Sequence, residues 1–168
     1  MSTQPEVFES ESAADTMALA ARLVRLLRPG DAVVLGGPLG AGKTTFVKGL
    51  AAGLGIDPAV VISPTFTLIH EYAGPIPLFH FDLYRLRSGQ ELAELGFEEY
   101  LERGGIVAIE WGEPLLDHLA AELVPEAALL SVRLSDRGSG GTSRCITIDG
   151  KGERAAAVVR AMAAAPRP

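Results

Sequence analysis

The chain has 168 residues, 48% of them hydrophobic, enough for one domain with a real core. A net charge of −6 opposes direct approach to nucleic acid, and the single cysteine, Cys145, excludes an internal disulfide, as expected of a protein from a reducing cytosol. The acidic, polar start MSTQPEVFESESAAD lacks the basic and apolar regions of a signal peptide, and no apolar run approaches the roughly 20 residues needed to cross a bilayer, so a cytoplasmic protein without a membrane span is expected.

Ser12 to Asp15 opens a capping box, and Ala20, Leu23, Val24 and Leu27 repeat at helical spacing until Arg28-Pro29-Gly30 ends the run. A short apolar strand follows over residues 31–35. Next comes a glycine-rich loop, and then a helix with Val47, Leu50, Ala51 and Leu54 on one face, closed by Gly53 and Gly55. Strands are expected at 65–72, 77–83 and 105–110, with a helical stretch from about 90 to 101. Residues 127–134 and 144–149 flank the Gly/Ser-rich turn at 138–143 and suit an antiparallel pair, and a last helix starts near Glu153. The alternation of strand and helix marks an α/β fold. No repeat or linker divides the chain, which reads as a single domain over 1–168 with frayed ends at about 1–6 and 164–168.

The loop Gly37-Pro38-Leu39-Gly40-Ala41-Gly42-Lys43-Thr44 matches G-x-x-x-x-G-K-[ST] and lies between a strand and an amphipathic helix, as phosphate binding requires. Gly37, Leu39, Gly40, Ala41 and Gly42 turn main-chain N–H groups toward the β-phosphate, at the positive end of the following helix. Lys43 reaches the β- and γ-phosphates, Thr44 gives its hydroxyl to Mg²⁺, and Thr45 contacts the α-phosphate. No N-K-x-D or T-K-x-D run is present to read guanine, so ATP is the expected nucleotide.

The second magnesium ligand should end an apolar strand. Ile106-Val107-Ala108-Ile109-Glu110 has that form and makes Glu110 the first choice. Asp82 is the rival, on a strand whose alternation sets His80, Asp82 and Tyr84 against Phe79, Phe81 and Leu83. One acid would hold the metal while the other orients the attacking water, with a cap or an ion pair to Arg85 as the plainer role for Asp82. Ser63, Thr65 and Thr67 form a hydroxyl-bearing segment suited to a γ-phosphate switch, and Trp111 can report on nucleotide or partner. His70, His118 and the acidic run Glu91, Glu94, Glu98 and Glu99 read as structural or solvated.

GPLGAGKTTF, SPTFTLIHEY, FHFDLYRL, ELGFEEYL and AIEWGEP, in that order over residues 12–149, closely resemble the TsaE (YjeE) family. The resemblance implies a three-layer P-loop NTPase fold, a mainly parallel sheet flanked by helices with an antiparallel edge. It also implies a cytoplasmic Mg²⁺-dependent ATPase, an accessory to N6-threonylcarbamoyladenosine formation in tRNA that works with TsaD and TsaB proteins and meets tRNA through them. Lys43, Thr44, Asp82, Glu110 and Trp111 fall on the family's motif positions, with Thr44 and Glu110 as its magnesium ligands. Family contacts near the N-terminus and the late strands point to Thr16 and Arg144 as further nucleotide-binding candidates, whereas Pro38 stands where many members carry an acid. A small-molecule kinase and a nucleotide-gated binding module with incidental hydrolysis are the competing readings.

Overall fold

The computed structural model describes residues 4–64, 67–138 and 141–166. Its seven strands form one sheet: β1 (Glu6–Ser10), β2 (Ala32–Gly36), β3 (Ile69–Tyr72), β4 (Leu78–Asp82), β5 (Ile106–Glu110), β6 (Leu129–Asp136) and β7 (Arg144–Lys151), in spatial order β1-β7-β6-β2-β5-β4-β3. The centre, β6-β2-β5-β4, is parallel, while β7 and β1 on one side and β3 on the other pair antiparallel. The parallel centre is buried on both faces, which is why Ala-Val-Val-Leu-Gly and Ile-Val-Ala-Ile-Glu are continuous rather than alternating runs.

Helices cover both faces. α1 (Ala13–Val24), α2 (Lys43–Gly53) and α6 (Glu153–Ala164) share one apolar core with Val33, Leu35, Leu78, Ala108 and Leu130. α3 (Gly89–Glu94), α4 (Phe97–Glu102) and α5 (Leu116–Glu122) close the other around Phe79, Phe81, Val107 and Ile109. The three-layer architecture expected from the sequence is therefore present, with antiparallel strands at both margins. Ser12 caps α1 by accepting from the Asp15 N–H at 3.1 Å. Among the described residues no helix is long and apolar enough to cross a membrane.

Several boundaries differ from expectation. β1 is an unexpected strand that begins at Glu6, the last residue of the end expected to fray, which pairs with Ile148, and α6 takes in Ala164 at the other end. The strand expected over 65–72 begins only at Ile69, because Leu68, with φ 67°, turns the chain just before it. The helical stretch at 90–101 is two helices, broken where Gly96 enters the left-handed region at φ 74°. α5 was not anticipated.

Candidate functional site

Three strand ends converge on one edge of the molecule. In a parallel sheet the C-terminal ends open onto the same crevice, and the register sets Glu110 beside both Leu35 and Asp82. From β2 the chain enters the loop Gly37–Thr44 directly, and α2 starts at Lys43 within it. Gly37 has φ 132° and an added Cβ would run into the Leu134 carbonyl of β6, so the loop can lie this close to the sheet only with glycine there. Gly40 and Gly42 also adopt left-handed φ, 78° and 103°, and the Ala41 N–H donates back to the Pro38 carbonyl at 3.0 Å.

Lys43 is buried, and its Nζ donates to the carbonyls of Gly37 at 2.7 Å and Pro38 at 3.0 Å, folding its ammonium into the mouth of its own loop. The Trp111 ring lies 4.0 Å from the same nitrogen in a cation–π contact. Trp111 has φ 60°, a conformation a bulky residue adopts only under local constraint, and Tyr84 packs edge-on against it at 5.2 Å. Burial pushes the Lys43 pKa below the ordinary lysine value, against the opposing pull of Glu110, Asp82 and Glu113.

The Thr44 hydroxyl donates to Glu110 Oε1 at 2.8 Å, joining the first turn of α2 to the end of β5. Burial raises the Glu110 pKa. His80, the Thr44 hydroxyl and Lys43 together outweigh it and hold the carboxyl below its ordinary range. Asp82 is buried as well; its Oδ1 accepts from the Tyr84 N–H at 2.9 Å, while Oδ2 has no hydrogen-bond partner among the described residues. Two carboxylates and a hydroxyl form an oxygen donor set suited to a hard cation, and the unpartnered oxygen of Asp82 is a buried acceptor that such a group would satisfy.

A cleft of about 320 Å³ follows the loop, lined by Leu39, Gly40, Gly42, Lys43, Thr44, Thr45, Ser63, Glu110 and Trp111. Leu39 projects into solvent at the loop tip, and Ala41 is buried beneath it. A smaller hollow of about 70 Å³ shares Gly42 and Thr45 and adds Thr16, Thr142 and Arg144. Thr16 is held there by a 2.7 Å bond between its hydroxyl and that of Ser10. Arg144 braces the loop from outside, donating through Nε to the Ala41 carbonyl at 2.8 Å and through Nη2 to that of Gly40 at 3.3 Å.

Thr67 is exposed, its N–H donates to the Pro64 carbonyl at 3.1 Å, and it is not among the residues that line the cleft. Thr65 lies outside the described residues. Sequence reasoning passed over His80, 3.5 Å from Glu110, and Glu113, whose carboxylate lies so near Gly36 that any side chain there would collide with it. The alternation along β4 already put His80 on the same face as Asp82, and that was the available signal.

The model of a family described as "Threonylcarbamoyl adenosine biosynthesis protein TsaE" matches residues 10–144. The chain is 44% identical over 130 residues to the tRNA threonylcarbamoyladenosine biosynthesis protein TsaE of Treponema pallidum (strain Nichols), covering 77% of this chain and 93% of that protein. To the protein of the same name from Bacillus subtilis (strain 168) it is 41% identical over 141 residues, 83% of this chain and 82% of that one. Among solved structures it resembles Bacillus subtilis YdiB with a TM-score of 0.71 and 31% identity, over 97% of this chain and 96% of that one.

Proposed function

The chain belongs to the TsaE family and acts in tRNA threonylcarbamoyladenosine biosynthesis, and from that premise we propose that it is an ATPase that binds ATP with Mg²⁺ in the cleft beside Gly37–Thr44. The observation that carries this reading is the bond from the Thr44 hydroxyl to Glu110, which sets a P-loop hydroxyl and a strand-end carboxylate together 66 residues apart in sequence.

The main-chain N–H groups of Gly37, Leu39, Gly40, Ala41 and Gly42 receive phosphate oxygens at the positive end of α2. Lys43 exchanges the loop carbonyls for the β- and γ-phosphates, two neutral acceptors for two charged ones. Thr45 contacts the α-phosphate, and Thr16 and Arg144 border the nucleotide on the far side of the loop. Thr44 and Glu110 would hold Mg²⁺, which when bound supplies neutralisation of charge on the phosphates. Asp82 accepts a proton from, or orients, the attacking water at its free oxygen. Ser63, Thr65, Thr67 and Trp111 form the segment that senses nucleotide and presents it to a partner.

Arg85 and Arg87 are the arginines nearest the strand-end motifs in sequence, and both are exposed, while Arg144 is engaged by the loop carbonyls. Hydrolysis by the isolated chain is therefore slow and gated by association with TsaD- and TsaB-like proteins. These partners carry the tRNA, in keeping with the acidic charge of this chain. The whole chain works as one domain, in the cytoplasm.

Phosphate release measured with and without TsaD and TsaB tests the assignment, and a clear change in rate on adding them is expected. Equal rates, or rapid transfer of phosphate to a small metabolite by the chain alone, would make it a kinase or an ungated ATPase instead. For binding, Lys43→Ala removes one or two charge-assisted hydrogen bonds, about 1.5 to 3 kcal/mol and so about tenfold to a hundredfold in ATP affinity by calorimetry.

A further inference from the structure

His80 occupies the middle of β4 and is completely shielded from solvent. Neither ring nitrogen has a partner within hydrogen-bond geometry among the described residues. A buried imidazole left in that state loses its hydration with little return, so packing alone would favour an apolar side chain at this position. Its surroundings reinforce the point: Ala108 is its register neighbour on β5, and the Tyr72 ring is tilted toward it at 6.5 Å. The charged group it reaches is Glu110, whose Oε1 lies 3.5 Å from His80 Nε2, and that same oxygen accepts the Thr44 hydroxyl at 2.8 Å.

A glutamate at a strand end has three side-chain torsions to settle, and the neighbouring Lys43 ammonium also attracts its carboxylate. One hydroxyl contact leaves the head group free to pivot. A second contact on the same oxygen, from a fully buried ring on β4, removes that freedom. We propose that His80 is the positioning residue of Glu110: its Nε2, 3.5 Å from Oε1, keeps the carboxylate beside the Thr44 hydroxyl, so that the two oxygen ligands assigned to Mg²⁺ stand together before nucleotide arrives. The partners that orient a ligand in this way commonly govern metal affinity by tenfold to a hundredfold, by about the factor that loss of a ligand's orientation implies. This role rests on the magnesium site set out above and adds to it a residue that touches neither metal nor nucleotide.

Two substitutions separate positioning from packing. His80→Leu keeps the volume and loses the N–H, whereas His80→Gln keeps an N–H at comparable reach. Binding of the non-hydrolysable analogue AMP-PNP is followed by calorimetry over a MgCl₂ series, and once in EDTA. His80→Leu should raise the Mg²⁺ concentration for half-maximal enhancement about tenfold or more while leaving affinity in EDTA unchanged. His80→Gln should stay within about threefold of the wild type by the same reasoning. Should the leucine variant fail to fold, His80→Asn, whose amide falls short of Oε1, takes its place with the same expected loss. A wild-type magnesium response in the variant lacking the donor, or equal losses with and without it, overturns the role of His80 alone. A wild-type chain whose AMP-PNP affinity ignores Mg²⁺ overturns the underlying site, and the role with it.

Discussion

Glu110 is buried among groups that favour its ionised form, and this makes it a stability element as well as a ligand candidate. Its folded-state pKa is lowered, so its contribution is present in full above the ordinary glutamate value, about pH 4.3, and is lost as pH falls through the lower folded-state value. Glu110→Gln, which mimics the protonated form, should destabilise the nucleotide-free chain by about 1 kcal/mol at pH 7. The gap between the two melting curves should close on acidification below that range. A gap that stays constant down to pH 3 would mean that the carboxylate is not held by His80, Thr44 and Lys43. The same residue should be more sensitive than Asp82 in magnesium-dependent hydrolysis, because an amide is a poor ligand for a hard cation; comparison of Glu110→Gln with Asp82→Asn by phosphate release decides the order. Glu110 and Asp82 were both legible in the sequence, since each ends an apolar strand run. Their different surroundings were not, because they depend on Thr44 and His80 reaching one of them and Tyr84 the other.

At the scale of elements, α1 and α2 approach closely through small residues. A Cβ added at Gly49 would collide with the Met17 carbonyl and stand 2.6 Å from the Ala20 Cβ. Gly49→Ala should therefore destabilise by about 1 to 3 kcal/mol in urea titration, even though alanine is the better helix former by about 1 kcal/mol. Stabilisation would show that the two helices can separate without loss. This close approach matters to the site because α2 carries Lys43 and Thr44 at its first turn. The apolar runs of β2 and β5 were readable within a residue, and so was the capped start of α1, although its apolar period runs on to Leu27 while the helix ends at Val24. β1 was not: in Glu6-Val7-Phe8-Glu9-Ser10 only Phe8 and Ser10 are buried, and the strand exists because β7 offers it an edge. α3 and α4 read as one helix because their apolar spacing continues through Gly96, whose left-handed turn interrupts the backbone without interrupting the pattern.

Across the whole molecule, distant segments are tied by Asp31, which is buried at the entry to β2. Its Oδ1 accepts from the Ala128 N–H at 2.7 Å, and its Oδ2 accepts from the Arg28 N–H at 2.8 Å and from Arg154 Nη2 at 3.2 Å. This joins the end of α1, the start of β6 and the first turn of α6 at the edge opposite the cleft. Asp31→Ala leaves the largely buried Arg154 guanidinium without its counter-ion, with only the Leu26 carbonyl at 2.7 Å still on Nη2, and the Ala128 N–H without its acceptor, and should cost about 3 kcal/mol in equilibrium unfolding, with ATP affinity nearly unchanged. Loss of affinity in step with stability would show that the two edges are coupled. The phosphate loop, the α/β alternation and the two strand-end acids were set by the sequence itself, because each depends on local rules: which φ glycine permits, which period buries a face, where a strand runs out of apolar residues. The pairing of β1 with β7 and of β3 with β4, the burial of His80 against Glu110 and the bracing of the loop by Arg144 were decided only by the tertiary structure. Those features are contacts between segments as distant in sequence as Glu6 and Ile148, and no local pattern carries the register that brings such segments into reach.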